Sequence, residues 1–174
     1  MLTTAEYQAQ NKELHNRPEY GASTVTRQFW PSIRKICEVY CCESVLDYGC
    51  GKGVFASCNK DLDVHEYDPA IDGKDSDPQA CDLLISLDVL EHIEPELIDD
   101  VLAHMASKMN KFGFLSIATR PAKKVLPDGR NAHLIQEHAG WWITKLSNHF
   151  KVIQFSGTDK ELVVMVCAAD KSSH

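Results

Sequence analysis

A chain of 174 residues with 44% hydrophobic and 25% charged side chains suits one folded unit, 1–174, with one sizeable core. Its formal net charge of −7 disfavours duplex nucleic acid as a partner, because nonspecific binding there needs a positive surface. No apolar run reaches the length of a membrane span, and MLTTAEYQAQNKELHNRPEY lacks the charged-then-apolar layout of a secretion signal, so a cytoplasmic protein with no membrane partner is expected.

Residues 1–43 read as a polar N-terminal arm followed by a helix. Val25, Phe29, Ile33, Ile36 and Tyr40 recur at helical spacing over 25–42, with Pro31 at the start of the main part or at a kink. The core is expected over 44–168. Ser44–Tyr48 is a short apolar run into Gly49-Cys-Gly-Lys-Gly53, a buried strand entering a glycine loop, and 54–58 begins a short helix. Strands follow at 63–67 and 82–87. A helix is expected from about Pro95, its N-terminus favoured by Glu94 and Glu96. A turn at Lys111–Gly113 leads to a strand at 112–118. After a loop with Pro121, Pro127 and Gly129, a helix covers 138–150, and strands at 151–155 and 162–168 are close enough to pair as an antiparallel hairpin. Alternating strands and helices predict an α/β fold: a Rossmann-like, mostly parallel sheet with helices on both faces and an antiparallel C-terminal strand.

The seven cysteines (Cys37, Cys41, Cys42, Cys50, Cys58, Cys81 and Cys167) are odd in number and read as reduced thiols. Cys37, Cys41 and Cys42 cluster, but no CxxC pair or Cys/His zinc spacing occurs, so no metal is expected.

The stretch that carries chemistry is Val45-Leu-Asp-Tyr-Gly-Cys-Gly-Lys-Gly53. Gly49 and Gly51 allow backbone to approach a ligand, at the carboxyl end of a strand, where open α/β sheets bind. A dinucleotide site would use the same kind of loop. Asp47 argues against that, since it repels a pyrophosphate and suits a ligand with an ammonium and a sulfonium. The Gly-x-Gly-x-Gly spacing also differs from the dinucleotide fingerprint.

This stretch resembles the first motif of class I S-adenosylmethionine-dependent methyltransferases. His65-Glu-Tyr-Asp-Pro69 resembles the end of their second strand, and Ser86-Leu-Asp-Val-Leu-Glu-His-Ile93 the post-strand motif of small-molecule members. The resemblance covers 44–168. It implies S-adenosylmethionine as cofactor, with Asp47, Gly49, Cys50 and Gly51 at its methionine end. It also implies Asp68 on the ribose hydroxyls, with Leu87 and Asp88 bordering the sulfonium. Asp88, Glu91 and His92 read equally well as caps of the helix near residue 95. The chain departs from the family between Asp68 and Asp82, where the connection is too short for the usual helix and strand; Asp75 or Asp77 is the candidate for the adenine amine.

The expected activity is methyl transfer to an oxygen or nitrogen, on a small molecule or a carried group. The Pro-Pro-aromatic and Pro-Cys motifs of nucleic-acid enzymes are absent after 82–87. A non-catalytic S-adenosylmethionine sensor or partner subunit, or a cofactor-cleaving enzyme, is the alternative. His133, at the end of the loop after 112–118, resembles the histidine that precedes the next helix in small-molecule methyltransferases. It is the catalytic candidate, a base near neutral pH or a structural tether. Trp141 would wall the acceptor pocket, Trp142 would pack in the core, and Tyr20 would close as a lid. Arg120, Lys123, Lys124 and Arg130 form either an anion site or a solvated loop.

Overall fold

The computed structural model describes residues 1–15 and 25–169. Six strands form one sheet: β1 (Ser44–Tyr48), β2 (Asp63–Tyr67), β3 (Cys81–Leu87), β4 (Met109–Ala118), β5 (Phe150–Gly157) and β6 (Glu161–Ala168). Their order is β2-β1-β3-β4-β6-β5. The first four strands run parallel, and β6 lies antiparallel between β4 and β5. This is the α/β arrangement that the alternation of apolar runs predicts.

The central strands are buried on both faces, which explains why they read as continuous apolar runs. On one face Val45, Leu83, Ile85 and Phe114 pack against Ile33 and Cys37 of α2 (Trp30–Tyr40) and Phe55 of α3 (Val54–Cys58). On the other, Leu46, Leu84, Leu115 and Ile117 meet Val101, Leu102 and Met105 of α4 (Ile98–Ser107) and Trp142 and Leu146 of α5 (Ala139–Ser147). Trp142 is fully buried, as its place in the helical pattern predicts. Pro31 lies in the first turn of α2, where its missing N–H costs nothing.

Three local expectations are corrected. Lys111–Gly113 is not a turn but part of β4, which begins at Met109 opposite Cys81. Gly113 is a packing glycine: a Cβ there would lie 2.8 Å from a Val166 methyl and 3.0 Å from the Met109 sulfur. α4 starts at Ile98 rather than Pro95, because residues 95–97 form a separate turn closed by the Leu97 N–H on the Glu94 carbonyl (2.8 Å). Glu94 does not serve α4. Its carboxylate accepts from the Thr4 N–H (2.9 Å), the Thr4 hydroxyl (2.6 Å) and the Thr3 hydroxyl (3.2 Å), fixing the start of α1 (Ala5–His15).

α1 is the ordered part of the polar arm. Only Tyr7 and Leu14 of this helix are buried, too few for a clear apolar face. Its position rests on polar links to two strand ends. The Tyr7 hydroxyl donates to the His92 carbonyl (2.8 Å), and the Gln8 amide donates to the Pro69 carbonyl. No helix among the described residues is long and apolar enough to cross a membrane.

Candidate active site

Because β1 to β4 are parallel, their carboxyl ends share one edge of the sheet, and the segments leaving them line a single cleft of about 720 Å³. That is an ordinary volume for a small-molecule or cofactor site. Asp47, Gly49, Cys50, Gly51, Asp68, Leu87, Asp88 and His133, the residues that the sequence singles out, all line it.

At the end of β1 the glycine loop is folded back toward β2. The Gly49 N–H (2.8 Å) and the Cys50 N–H (3.1 Å) both donate to the Tyr67 carbonyl. Gly49 has φ +81°, and a Cβ there would lie 2.6 Å from both methyls of Val89. Glycine is therefore required twice over, by conformation and by space. Asp47 is buried, and its carboxyl is pushed up to about 7, first by burial, then by the charges of Glu66 and Asp68, with Lys74 opposing. Burial also raises the Cys50 thiol, so it is not a ready nucleophile.

At the end of β2, Asp68 links the loop to its own turn. One carboxylate oxygen accepts from the Gly51 N–H (3.0 Å) and the other from the Ala70 N–H (2.9 Å). Each oxygen keeps a second acceptor site. The short connection that follows closes as a tight turn, with the Asp68 N–H donating to the Lys74 carbonyl (2.9 Å). Lys74 then pairs with Glu66 (3.1 Å) behind the glycine loop. Neither Asp75 nor Asp77 lines the cleft. Asp75 accepts from the Gly73 N–H, and Asp77 pairs with His104 (2.8 Å) and Lys108 (2.6 Å).

At the end of β3, Asp88 takes the left-handed conformation (φ 56°). Its N–H is anchored to Ser116, at the carbonyl (3.1 Å) and the hydroxyl (3.2 Å). Burial raises its carboxyl. Neither Glu91 nor His92 caps α4. Glu91 is wholly buried; its Oε1 accepts from the Ala118 N–H (2.8 Å), and its backbone carbonyl accepts from the Ile135 N–H (3.0 Å). Its carboxyl is pushed up to about 8 by burial and then by Asp88. His92 Nδ1 lies 2.7 Å from the Ala132 carbonyl, and burial, then the neighbouring His133, lowers the ring to about 4.

The loop after β4 brings His133 onto His92, the two rings edge to face with centroids 4.8 Å apart. His133 Nδ1 lies 2.6 Å from the Arg120 carbonyl. A carbonyl can only accept, so both rings carry their proton on Nδ1 and have a lone pair on Nε2. Burial lowers the pKa of His133, so it is neutral at pH 7. Arg120, Lys123 and Lys124 line the same end of the cleft. Arg130 does not; it pairs with Asp128 (2.7 Å) and lies over the Tyr7 ring. Trp141 is not a cleft wall either. It packs edge-on against Trp142 at the margin of the core, with the Lys145 ammonium over its ring, and is not part of the cleft lining. Tyr20 lies outside the described residues.

Sequence reasoning missed one wall. Leu2, Thr3, Tyr7, Asn11 and His15, from α1 and the residues before it, also line the cleft. Thr4 ahead of Ala-Glu-Tyr-Gln was the available signal, a helix N-cap that marks where α1 begins.

No protein-family profile and no curated protein matches this chain. Solved structures do. The N-methyltransferase NodS from Bradyrhizobium japonicum WM9, in complex with S-adenosylhomocysteine, superposes over 96% of this chain and 100% of its own, with TM-score 0.63 and 16% identity. The 1,6-didemethyltoxoflavin-N1-methyltransferase of Burkholderia thailandensis, bound to 1,6-didemethyltoxoflavin and S-adenosylhomocysteine, superposes over 98% and 92%, with TM-score 0.67 and 15% identity. The fold is that of the class I S-adenosylmethionine-dependent methyltransferases. Magnesium protoporphyrin IX methyltransferase from Synechocystis PCC 6803 agrees, over 95% of each chain at TM-score 0.55 and 16% identity. Within this methyltransferase fold the tight turn at 68–74 and α1 form the cleft wall beside Asp68, Pro69 and Ala70.

Proposed function

We propose that this protein binds S-adenosylmethionine in the cleft and transfers its methyl group to an oxygen or nitrogen of a small molecule or carried group. The observation that carries the reading is the convergence of Asp47, the Gly49–Gly51 loop, Asp68, Asp88, His133 and Arg120 on a single cleft at the carboxyl edge of the parallel strands. In this reading the cofactor's ammonium meets Asp47, Gly49, Cys50 and Gly51 approach its methionine part through backbone, and Asp68 accepts from the ribose hydroxyls with its remaining lone pairs. Leu87 and Asp88 border the sulfonium.

The methyl group is already activated, so the protein's task is to align an acceptor lone pair behind it and exclude water. His133 stands at the acceptor side with Nε2 free to take a proton. An acceptor O–H or N–H gives that proton to His133, its lone pair attacks the methyl carbon, and the C–S bond breaks with its electron pair going to sulfur. Arg120, Lys123 and Lys124 favour an acceptor that carries an anionic group.

The test is calorimetry with S-adenosylmethionine and S-adenosylhomocysteine, followed by a screen of anionic hydroxyl and amine acceptors for S-adenosylhomocysteine release. Binding with acceptor-dependent release supports the reading. Intact cofactor across the screen favours a sensor or partner subunit, cofactor consumed without S-adenosylhomocysteine favours a cleaving enzyme, and absence of binding refutes all three.

A further inference from the structure

We infer that Glu91, His92 and His133 form a binding site for a divalent first-row transition metal, of the zinc class, at the acceptor end of the cleft. One ligand atom from each of the three lies within 4.8 Å of the others. In a tetrahedral zinc site with bonds of about 2.1 Å, ligand atoms are about 3.4 Å apart, so small side-chain rotations close the set.

Three independent features fit a metal rather than a chance cluster. First, Glu91 is fully buried and its Oε2 has no hydrogen-bond partner, a costly arrangement for a carboxyl group. A cation would satisfy it. Second, each imidazole is held through Nδ1 by a backbone carbonyl, His92 by Ala132 (2.7 Å) and His133 by Arg120 (2.6 Å). That outer hydrogen bond is what metal-bound histidines generally make, fixing the ring and presenting Nε2. Glu91 is held in the same way, its Oε1 accepting from the Ala118 N–H. Third, His92 and His133 line the cleft, whereas Glu91 is fully buried and outside its lining. An ion held by the three would keep its open side toward the cleft. Two imidazoles and one carboxylate with an open position is the pattern of catalytic zinc and of non-haem iron(II), and two nitrogen ligands disfavour magnesium and calcium.

The role of the ion rests on the proposed methyl transfer; its binding does not. An acceptor hydroxyl or amine coordinated at the open position ionises at lower pH. Its proton leaves to solvent, the metal-held lone pair attacks the methyl carbon, and the C–S electron pair goes to sulfur. His133 then holds the ion instead of carrying the proton.

The experiment is titration of the chelator-stripped protein with Zn²⁺ against a competing indicator dye, and with Co²⁺ followed by absorbance, both without S-adenosylmethionine. One equivalent should bind, with the d–d bands of a four- or five-coordinate cobalt and no thiolate charge-transfer band, which separates this site from Cys37, Cys41 and Cys42. Glu91→Gln and His133→Gln should each weaken binding more than tenfold, since loss of an outer partner alone costs about 10- to 100-fold. His65→Ala, half-buried on β2 and outside the cleft lining, should leave it unchanged. Circular dichroism identifies any variant that fails to fold, and His133→Gln, the less buried change, then decides. Absence of binding, a thiolate band, or full affinity in folded His133→Gln overturns the inference. Cofactor calorimetry on the stripped protein reports on the methyltransferase reading separately.

Discussion

Replacing Asp47 by Asn removes an ionisable group from the buried floor of the cleft, and the consequence reverses between the empty and the loaded protein. The folded carboxyl titrates at about 7 against an ordinary 3.8. The folded state therefore holds its proton longer than the unfolded chain, and wild-type stability falls as pH rises from about 4 to about 7. Each pKa unit is worth about 1.36 kcal/mol, so the shift of about three units makes the ionised group cost about 4 kcal/mol near pH 8. Asn cannot ionise. Asp47→Asn should thus gain about 0.5 kcal/mol near pH 4 and about 4 kcal/mol near pH 8, roughly 10 °C in Tm for a chain of this size. With S-adenosylmethionine the order inverts: the variant loses a charge-assisted contact to the ammonium worth about 1.5–3 kcal/mol, roughly a 10- to 150-fold weaker Kd near pH 8. Thermal melts of the empty protein across pH, paired with calorimetry of the cofactor, read both effects. A variant no more stable than wild type near pH 8, or one that binds the cofactor equally well, would refute the reasoning about Asp47.

Asp68→Ala should weaken S-adenosylmethionine by about 1.5–3 kcal/mol in calorimetry, and it also removes the acceptor of the Gly51 and Ala70 N–H groups. A shift in Tm without a shift in Kd would confine Asp68 to holding the loop. His133→Ala should lower turnover by about 10²- to 10⁴-fold with cofactor affinity nearly unchanged, measured as S-adenosylhomocysteine release under saturating cofactor. Full turnover would return His133 to tethering the loop at Arg120. Gly49→Ala places a Cβ against Val89 in a left-handed backbone, so it should cost about 1–3 kcal/mol of stability in denaturant melts and weaken the cofactor together with it. Unchanged melting would show that the loop can relax away from Val89.

The parts of the fold and site that were readable in the sequence are those set by neighbouring residues. Val45, Leu46 and Tyr48 are apolar because both sheet faces are covered, and Gly49 follows them because the turn needs positive φ; both facts lie within a few residues. Asp68 and Asp88 were legible for the same reason, each standing directly after a strand. Gly113 misled because a glycine soon after Asn110 and Lys111 suggests a turn, whereas its cause is Val166 on another strand. Glu94 misled in the same way, since an acidic residue before a helix looks like its cap while its partners, Thr3 and Thr4, are at the N-terminus.

The order of strands and helices, the glycine loop and the carboxylates at the strand ends were legible along the chain, because periodicity and backbone conformation are local properties. Long-range packing alone makes α1 a wall of the cleft, leaves Trp141 out of its lining, and sets His133 against His92 beside the buried, unpartnered oxygen of Glu91. Those arrangements depend on which strand ends share an edge and on single hydrogen bonds between distant segments, such as Tyr7 to His92 and His133 to Arg120. Contacts of that kind leave no periodic trace in the sequence.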